Sequence, residues 1–126
     1  MGFDFYIQLC LNLCDATGKP YIFNEKSEKD YVLPNIVIPE QHRRFLKLRG
    51  RFLHIYTDDL NDHNIFSADV DALLEKFPDW DEIKNDEFYS ECVEEYEWTE
   101  DDHNKFKAAL EWLQNQPYHY SASWSY

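Results

Sequence analysis

Three cysteines, five histidines and twenty-five carboxylates are the side chains of this sequence best suited to chemistry, and their spacing limits what they can do. Zinc asks for Cys or His in closely spaced pairs, yet there is no Cys-x-x-Cys and no histidine pair at helical spacing. His42, His54, His63, His103 and His119 are scattered, and each reads as a surface or hydrogen-bonded residue. Cys10 and Cys14 fall on one face of a predicted strand, about 13 Å apart at roughly 3.3 Å per residue. That is too far for a disulfide, or for one ion shared with His54. The run Asp58-Asp59-Leu60-Asn61-Asp62-His63 comes nearest to a calcium loop. Counted from Asp59, however, the places that need Gly and Glu hold Asn64 and Val70. The expectation is no metal and no cofactor.

Nucleophilic catalysis fares no better. Cys92 stands among Glu91, Glu94 and Glu95, whose negative charge raises a thiol's pKa. With only Gly2, Gly18 and Gly50, the chain has neither a nucleophile elbow nor a phosphate-binding glycine loop. Glu82-Ile83-Lys84 matches the end of a metal-dependent nuclease motif but falls in a segment that reads as helix. No catalytic residue is assigned, and a non-enzyme is favoured.

Two binding surfaces remain. Trp80, Glu94, Glu95, Tyr96, Glu97 and Trp98 lie in a stretch, Asp58 to Asp102, with eighteen Asp and Glu against Lys76 and Lys84. Exposed aromatics among carboxylates would offer a basic protein partner both charge and an anchor. Arg43, Arg44, Lys47, Arg49, Arg51 and Phe52, with His42 and Phe45, form a basic and aromatic segment that could track and stack single-stranded nucleic acid. Against that alternative, a net charge of −13 repels phosphate. The arginines can instead answer the acidic half of the same chain.

The elements that would position these residues read as α+β in one domain, residues 1–126. Phe3, Phe5, Ile7, Leu9, Leu11 and Leu13 alternate with polar residues, which predicts one long strand, Phe3 to Cys14, at the centre of an antiparallel sheet. Asp15 to Lys19 predicts a turn and Pro20–Phe23 a returning strand. Tyr31–Ile38, broken by Pro34, predicts an edge strand or extended segment. For residues 39–50 two readings stand: a helix opened by Pro39 and closed by Gly50, or a hairpin of Arg44–Leu48 and Arg51–Tyr56, which we favour. Phe52–Thr57 is a strand on both.

From Ser67 the period becomes helical. Val70, Leu73, Leu74 and Phe77 follow a Ser67 cap and stop at Pro78. Asp79 caps a second helix carrying Tyr89, Cys92, Val93 and Tyr96. Thr99, with Asp102 three residues on, caps a third whose stripe is Phe106, Ala109, Leu110 and Leu113. These three helices should cover the sheet. Tyr118, Tyr120, Ala122, Trp124 and Tyr126 return to period two, predicting a final, possible edge strand.

No apolar run approaches the roughly 18 residues of a membrane span, and neither a signal peptide nor myristoylation at Gly2 is expected. The cysteine usage suits a reducing, cytoplasmic compartment. Charge is uneven: residues 1–57 carry eight Lys or Arg and six Asp or Glu, residues 58–126 four and nineteen.

The opening Met1-Gly2-Phe3-Asp4-Phe5-Tyr6 resembles that of a group of small uncharacterised proteins encoded by giant nucleocytoplasmic DNA viruses. Arg49-Gly50 before an aromatic segment, and Tyr56-Thr57-Asp58-Asp59 before an acidic loop, are similar too. The pattern in that group puts aromatics directly after Arg-Gly, where Arg51 intervenes here. The resemblance covers about the first half of the chain. It implies a viral protein of the host cytoplasm or the virion, and it brings no activity.

Overall fold

The computed structural model describes residues 3–9, 12–13, 20–23, 31–32, 37–61, 66–116 and 120–125. It is an α+β fold with one four-stranded antiparallel sheet. Strand β1 (Asp4–Leu9) is where the N-terminal alternation takes effect: Phe3, Phe5 and Ile7 are buried while Gln8 is exposed. The ladder to the C-terminal strand ends at Leu9 opposite Tyr120. Of the predicted strand from Phe3 to Cys14, the described residues fall in two sheets, β1 here and Asn12–Leu13 in another, and Cys10, Leu11 and Cys14 lie outside the described residues. Strand β2 (Asn12–Leu13) joins β3 (Pro20–Phe23) and β4 (Tyr31–Val32) in a separate sheet, ordered β2-β3-β4. The expected antiparallel return of Pro20–Phe23 is present in that smaller sheet, through Asn12 opposite Tyr21 and Leu13 opposite Pro20, while the predicted turn Asp15 to Lys19 lies outside the described residues.

Residues 39–57 correct both readings of that region. Pro39 does open a helix, α1 (Glu40–Arg43), which tightens into a 3₁₀ turn at Arg44–Leu46 and ends well before Gly50. Only β5 (Lys47–Arg49) is extended, and it pairs with β1 and not with residues 51–56. Gly50 follows at φ 144°, where an added Cβ would lie 2.9 Å from the Phe52 and Tyr96 rings. Beyond it, the expected strand Phe52–Thr57 is helical: a 3₁₀ turn at Arg51–Leu53, then α2 (His54–Thr57). The reason is visible in the burial. Phe52, Leu53, Ile55 and Tyr56 all go inward, which a two-residue period cannot do. Thr57 completes the turn by donating its hydroxyl to the Leu53 carbonyl at 3.0 Å.

Ser67 does not cap a helix. It begins β6 (Ser67–Asp69), an edge strand on the C-terminal strand, and α3 (Val70–Glu75) starts from Asp69. The expected second helix is two, α4 (Trp80–Asn85) and α5 (Glu87–Glu95), because Asp86 leaves the helix and caps α5 by accepting from the Tyr89 N–H at 2.9 Å. The third, α6 (Glu100–Gln114), has the expected capping box of Thr99 and Asp102 and buries the expected stripe together with His103. Strand β7 (Tyr120–Ser125) lies inside the sheet and not at its edge, in the order β5-β1-β7-β6. Its inward face, Tyr120, Ala122 and Trp124, meets β1 directly, with Phe5 opposite Trp124. Helix α6 lies over this pair, the Phe106 ring edge-on to Phe5 at 6.0 Å.

Candidate functional site

The basic segment comes first, since the fold splits it. Arg43 donates to the Ile38 carbonyl at 3.0 Å. Arg44 pairs with Asp102 of the α6 capping box and lies over the Phe45 ring. Lys47 and Arg49 belong to edge strand β5, where Lys47 sits 5.7 Å from the Tyr6 ring and Arg49 3.5 Å from Asp4. Arg51 reaches Glu95 of α5 at 3.5 Å. Phe52 is 4% exposed and stacks on Trp98 at 4.4 Å, so it is a core ring and offers no platform for a base. That corrects its place among the nucleic-acid-contacting residues.

The acidic surface is also corrected at one position. Glu94, Glu95, Tyr96 and Glu97 are exposed, at the end of α5 and just past it. Trp98 is buried and donates its indole N–H to the Tyr56 hydroxyl at 2.9 Å, so it cannot anchor a partner. The burial follows from how α5 ends. Trp98 N–H bonds the Val93 carbonyl and Glu97 N–H the Glu94 carbonyl, a Schellman closure with Glu97 at φ 54°. The chain therefore turns inward at Trp98.

Trp80 does serve the surface, but away from Tyr96. It is half-buried on the wall of a cleft of about 350 Å³ between the α3–α4 connection, α4 and α6. Phe77, Pro78 and Trp80 give the apolar wall, and the buried His103 ring forms the floor, 4.7 Å from Phe77 and 5.3 Å from Trp80. Asp79, Asp81, Glu82 and Glu100 stand around it, with Lys107 as the one cation among its lining residues. His103 meets the Tyr56 hydroxyl at Nδ1, 2.8 Å away. Burial lowers its pKa, the Pro78 carbonyl raises it, Lys107 lowers it and Asp79 raises it; the net position is below the usual imidazole value. The half-buried Phe77 and Trp80 rings, with four carboxylates lining the same cleft, can hold an ammonium or guanidinium group. The run Pro78-Asp79-Trp80-Asp81-Glu82 was readable as acidic and aromatic. That His103 and Phe77 close the cleft was not, because one arrives from a helix 20 residues on and the other read only as core.

A second polar cluster joins His54 Nδ1 to Asp58 Oδ1 and the Tyr89 hydroxyl to Asp58 Oδ2, each at 3.0 Å. Burial and then Asp58 push the Tyr89 phenol up, so it stays protonated and donating. An Asp-oriented histidine can serve a nucleophile, but Cys92 does not supply one. It is 1% exposed, and burial pushes its thiol up, with Glu95, Glu91 and Asp58 adding to that against Arg51. Among the described residues no three His, Cys, Asp or Glu side chains are placed to hold an ion, and no helix is long and apolar enough to cross a membrane. Cys10, Cys14, His63 and His119 lie outside the described residues. Compared with known proteins, the chain matches no family model, no curated protein and no solved structure.

Proposed function

We propose that this chain is a non-catalytic protein-interaction module whose acidic helical half binds a basic protein partner, one lysine or arginine of which enters the Trp80 cleft. The observation that carries the reading is the cleft: aromatic walls of Phe77, Trp80 and His103 inside four carboxylates, against Lys107 alone. A cation seated there gains contact with ring faces and with nearby negative charge. Glu94, Glu95 and Glu97 extend the negative surface beyond it and would steer a basic partner from a distance. The resemblance to proteins of giant DNA viruses makes a host protein or another virion component, met in the cytoplasm, the natural partner. The nucleic-acid alternative is weakened by the burial of Phe52 and by the pairing of Arg44, Arg49 and Arg51 with Asp102, Asp4 and Glu95.

The test is titration of the labelled protein with an arginine-rich peptide, followed by NMR at the tryptophan indoles. Binding should move the Trp80 signal, weaken with added salt, and be lost in Trp80→Ala and in the double reversal Asp81→Lys, Glu82→Lys. Labelled single-stranded RNA should not bind at physiological salt. RNA binding that disappears when Arg43, Arg44, Lys47, Arg49 and Arg51 are changed, with no peptide binding, would overturn the reading.

A further inference from the structure

We propose that His103 makes the Trp80 cleft acid-labile, so that a proton on its imidazole and a cationic side chain in the cleft exclude one another. This rests on the cleft as the seat of a basic side chain and adds the regulation of that seat.

The geometry is a relay whose direction is set by the Trp98 indole. That indole can only donate, and it does so to the Tyr56 oxygen at 2.9 Å. The Tyr56 hydroxyl hydrogen then needs an acceptor, and among the described residues His103 Nδ1, at 2.8 Å, is the one within reach. Nδ1 accepts only in the neutral imidazole whose proton sits on Nε2. Trp98, Tyr56 and His103 are thus all satisfied only while the imidazole is neutral. A second proton would turn Nδ1 into a donor. The Tyr56 hydroxyl hydrogen would lose its acceptor in a buried site, and a charge would be buried with it. Phe77 and Trp80 of the cleft wall both pack on this ring, at 4.7 and 5.3 Å, so the wall is coupled to α6 through it.

The groups around the imidazole set the balance. On its own helix are Lys107, Glu100 and Asp102, the last turned to Arg44. The α3–α4 connection brings Asp79, α4 brings Asp81 and Glu82, and α2 brings the uncharged Tyr56 phenol. Asp79 favours the proton, while burial and Lys107 oppose it and win. A lysine or arginine entering the cleft places another positive charge beside the same ring. By linkage, the ligand must then depress His103 protonation as much as the proton depresses ligand binding.

Two measurements test this. In ligand-free protein, ring nitrogen shifts at pH 7.5 should show Nε2 protonated and Nδ1 bare, and the Trp98 and Trp80 indole signals should move with the His103 titration on acidification. Tyr56→Phe keeps the ring but removes the donor, and should move the His103 midpoint upward. Calorimetry with an arginine-rich peptide at fixed salt should find wild-type affinity about tenfold or more weaker at pH 5.5 than at pH 7.5, within the usual range of linked sites. His103→Gln removes a ring of the cleft and should bind more weakly overall, but with little change between the two pH values. The other four histidines are common to both proteins, so the difference belongs to His103. The latch is overturned if His103 titrates without moving the Trp98 indole, or if wild type and His103→Gln share one pH dependence. Peptide binding at neither pH, with both indoles still following His103, would instead overturn the partner reading and the competition built on it.

Discussion

Arg44, on a 3₁₀ turn, and Glu94, near the end of α5, both hold their side chains in water, yet they are tied to the molecule very differently. Arg44 is bonded to Asp102 and so fastens the turn after α1 to the first turn of α6. Arg49 and Arg51 similarly tie β5 to β1 and the 3₁₀ turn after Gly50 to α5. On the acidic side, Asp79, Asp81, Glu82, Glu91, Glu94 and Glu97 take part in no ion pair among the described residues. The basic segment's charge is largely satisfied inside the molecule, while the acidic half presents a surplus outward. A cluster of charge is therefore no guide to a binding face until its partners are known. Here the conspicuous arginines bind the chain to itself, and the unremarkable acidic helices carry carboxylates that make no ion pair among the described residues.

The strongest way to break this comparison is at Phe52. If it is core, packed on Trp98, Phe52→Ala should cost about 3–5 kcal/mol in denaturant unfolding, as for other buried phenylalanines. If it were a surface platform, the change would stay within about 0.5 kcal/mol. Tyr96→Ala, at an aromatic that is 40% exposed, is the matched control and should cost much less.

Acid should come next, through His103. Its pKa in the fold lies below the ordinary 6.5, mainly from burial, so the unfolded chain takes up the proton more readily. Stability from this group is full above about pH 6.5 and falls as the pH drops below it, by at most about 1.4 kcal/mol per pH unit. Asp102 acts at lower pH. Partial burial raises its pKa, but the Thr99 N–H and hydroxyl and the Arg44 guanidinium outweigh this and hold it below the ordinary 3.8. Its contribution is present above that value and is lost as the pH falls through the folded-state pKa. Thermal melts of His103→Gln should lack the first decline and keep the second.

These contrasts also explain what could be read from the chain alone. The capping box at Thr99 and the α6 stripe were legible because they are local: three residues fix the cap and one period fixes the face. Residues 44–57 were not, because short segments with no clear period were decided by distant packing. Phe45 and Phe52 are drawn under Trp98 and Phe106, and that burial overrides the strand pattern. Trp98 was read as exposed for the same kind of reason, since most of its sequence neighbours are carboxylates. Only the left-handed turn at Glu97 sends it inward.

Removing Arg44 should have a smaller effect, and its size sharpens the contrast. Arg44→Ala leaves the capping box intact but frees one Asp102 oxygen, and an exposed pair of this kind contributes about 1 kcal/mol or less. Glu94→Ala, on the open side, should not lower stability measurably. Equal losses in the two variants would mean that the basic and acidic segments do not differ in the way argued above.

The smallest expected change is a gain, at Glu97. Its φ of 54° is one that an L side chain adopts at a cost of roughly 1–2 kcal/mol, and glycine adopts it freely. The Schellman bonds from Glu97 and Trp98 are made by the backbone, so Glu97→Gly keeps them. Part of the relief is offset because glycine gives the unfolded chain more freedom, which leaves a net gain of about 0.5–1 kcal/mol. Glu97→Ala separates backbone from charge, since it removes the same carboxylate while keeping a Cβ. It should change stability little, and the gap between the two variants in chemical denaturation measures the strain at this turn. If Ala gained as much as Gly, the benefit would come from relieving repulsion with Glu94 and Glu95, and the acidic surface would carry an energetic cost that the backbone reading does not include.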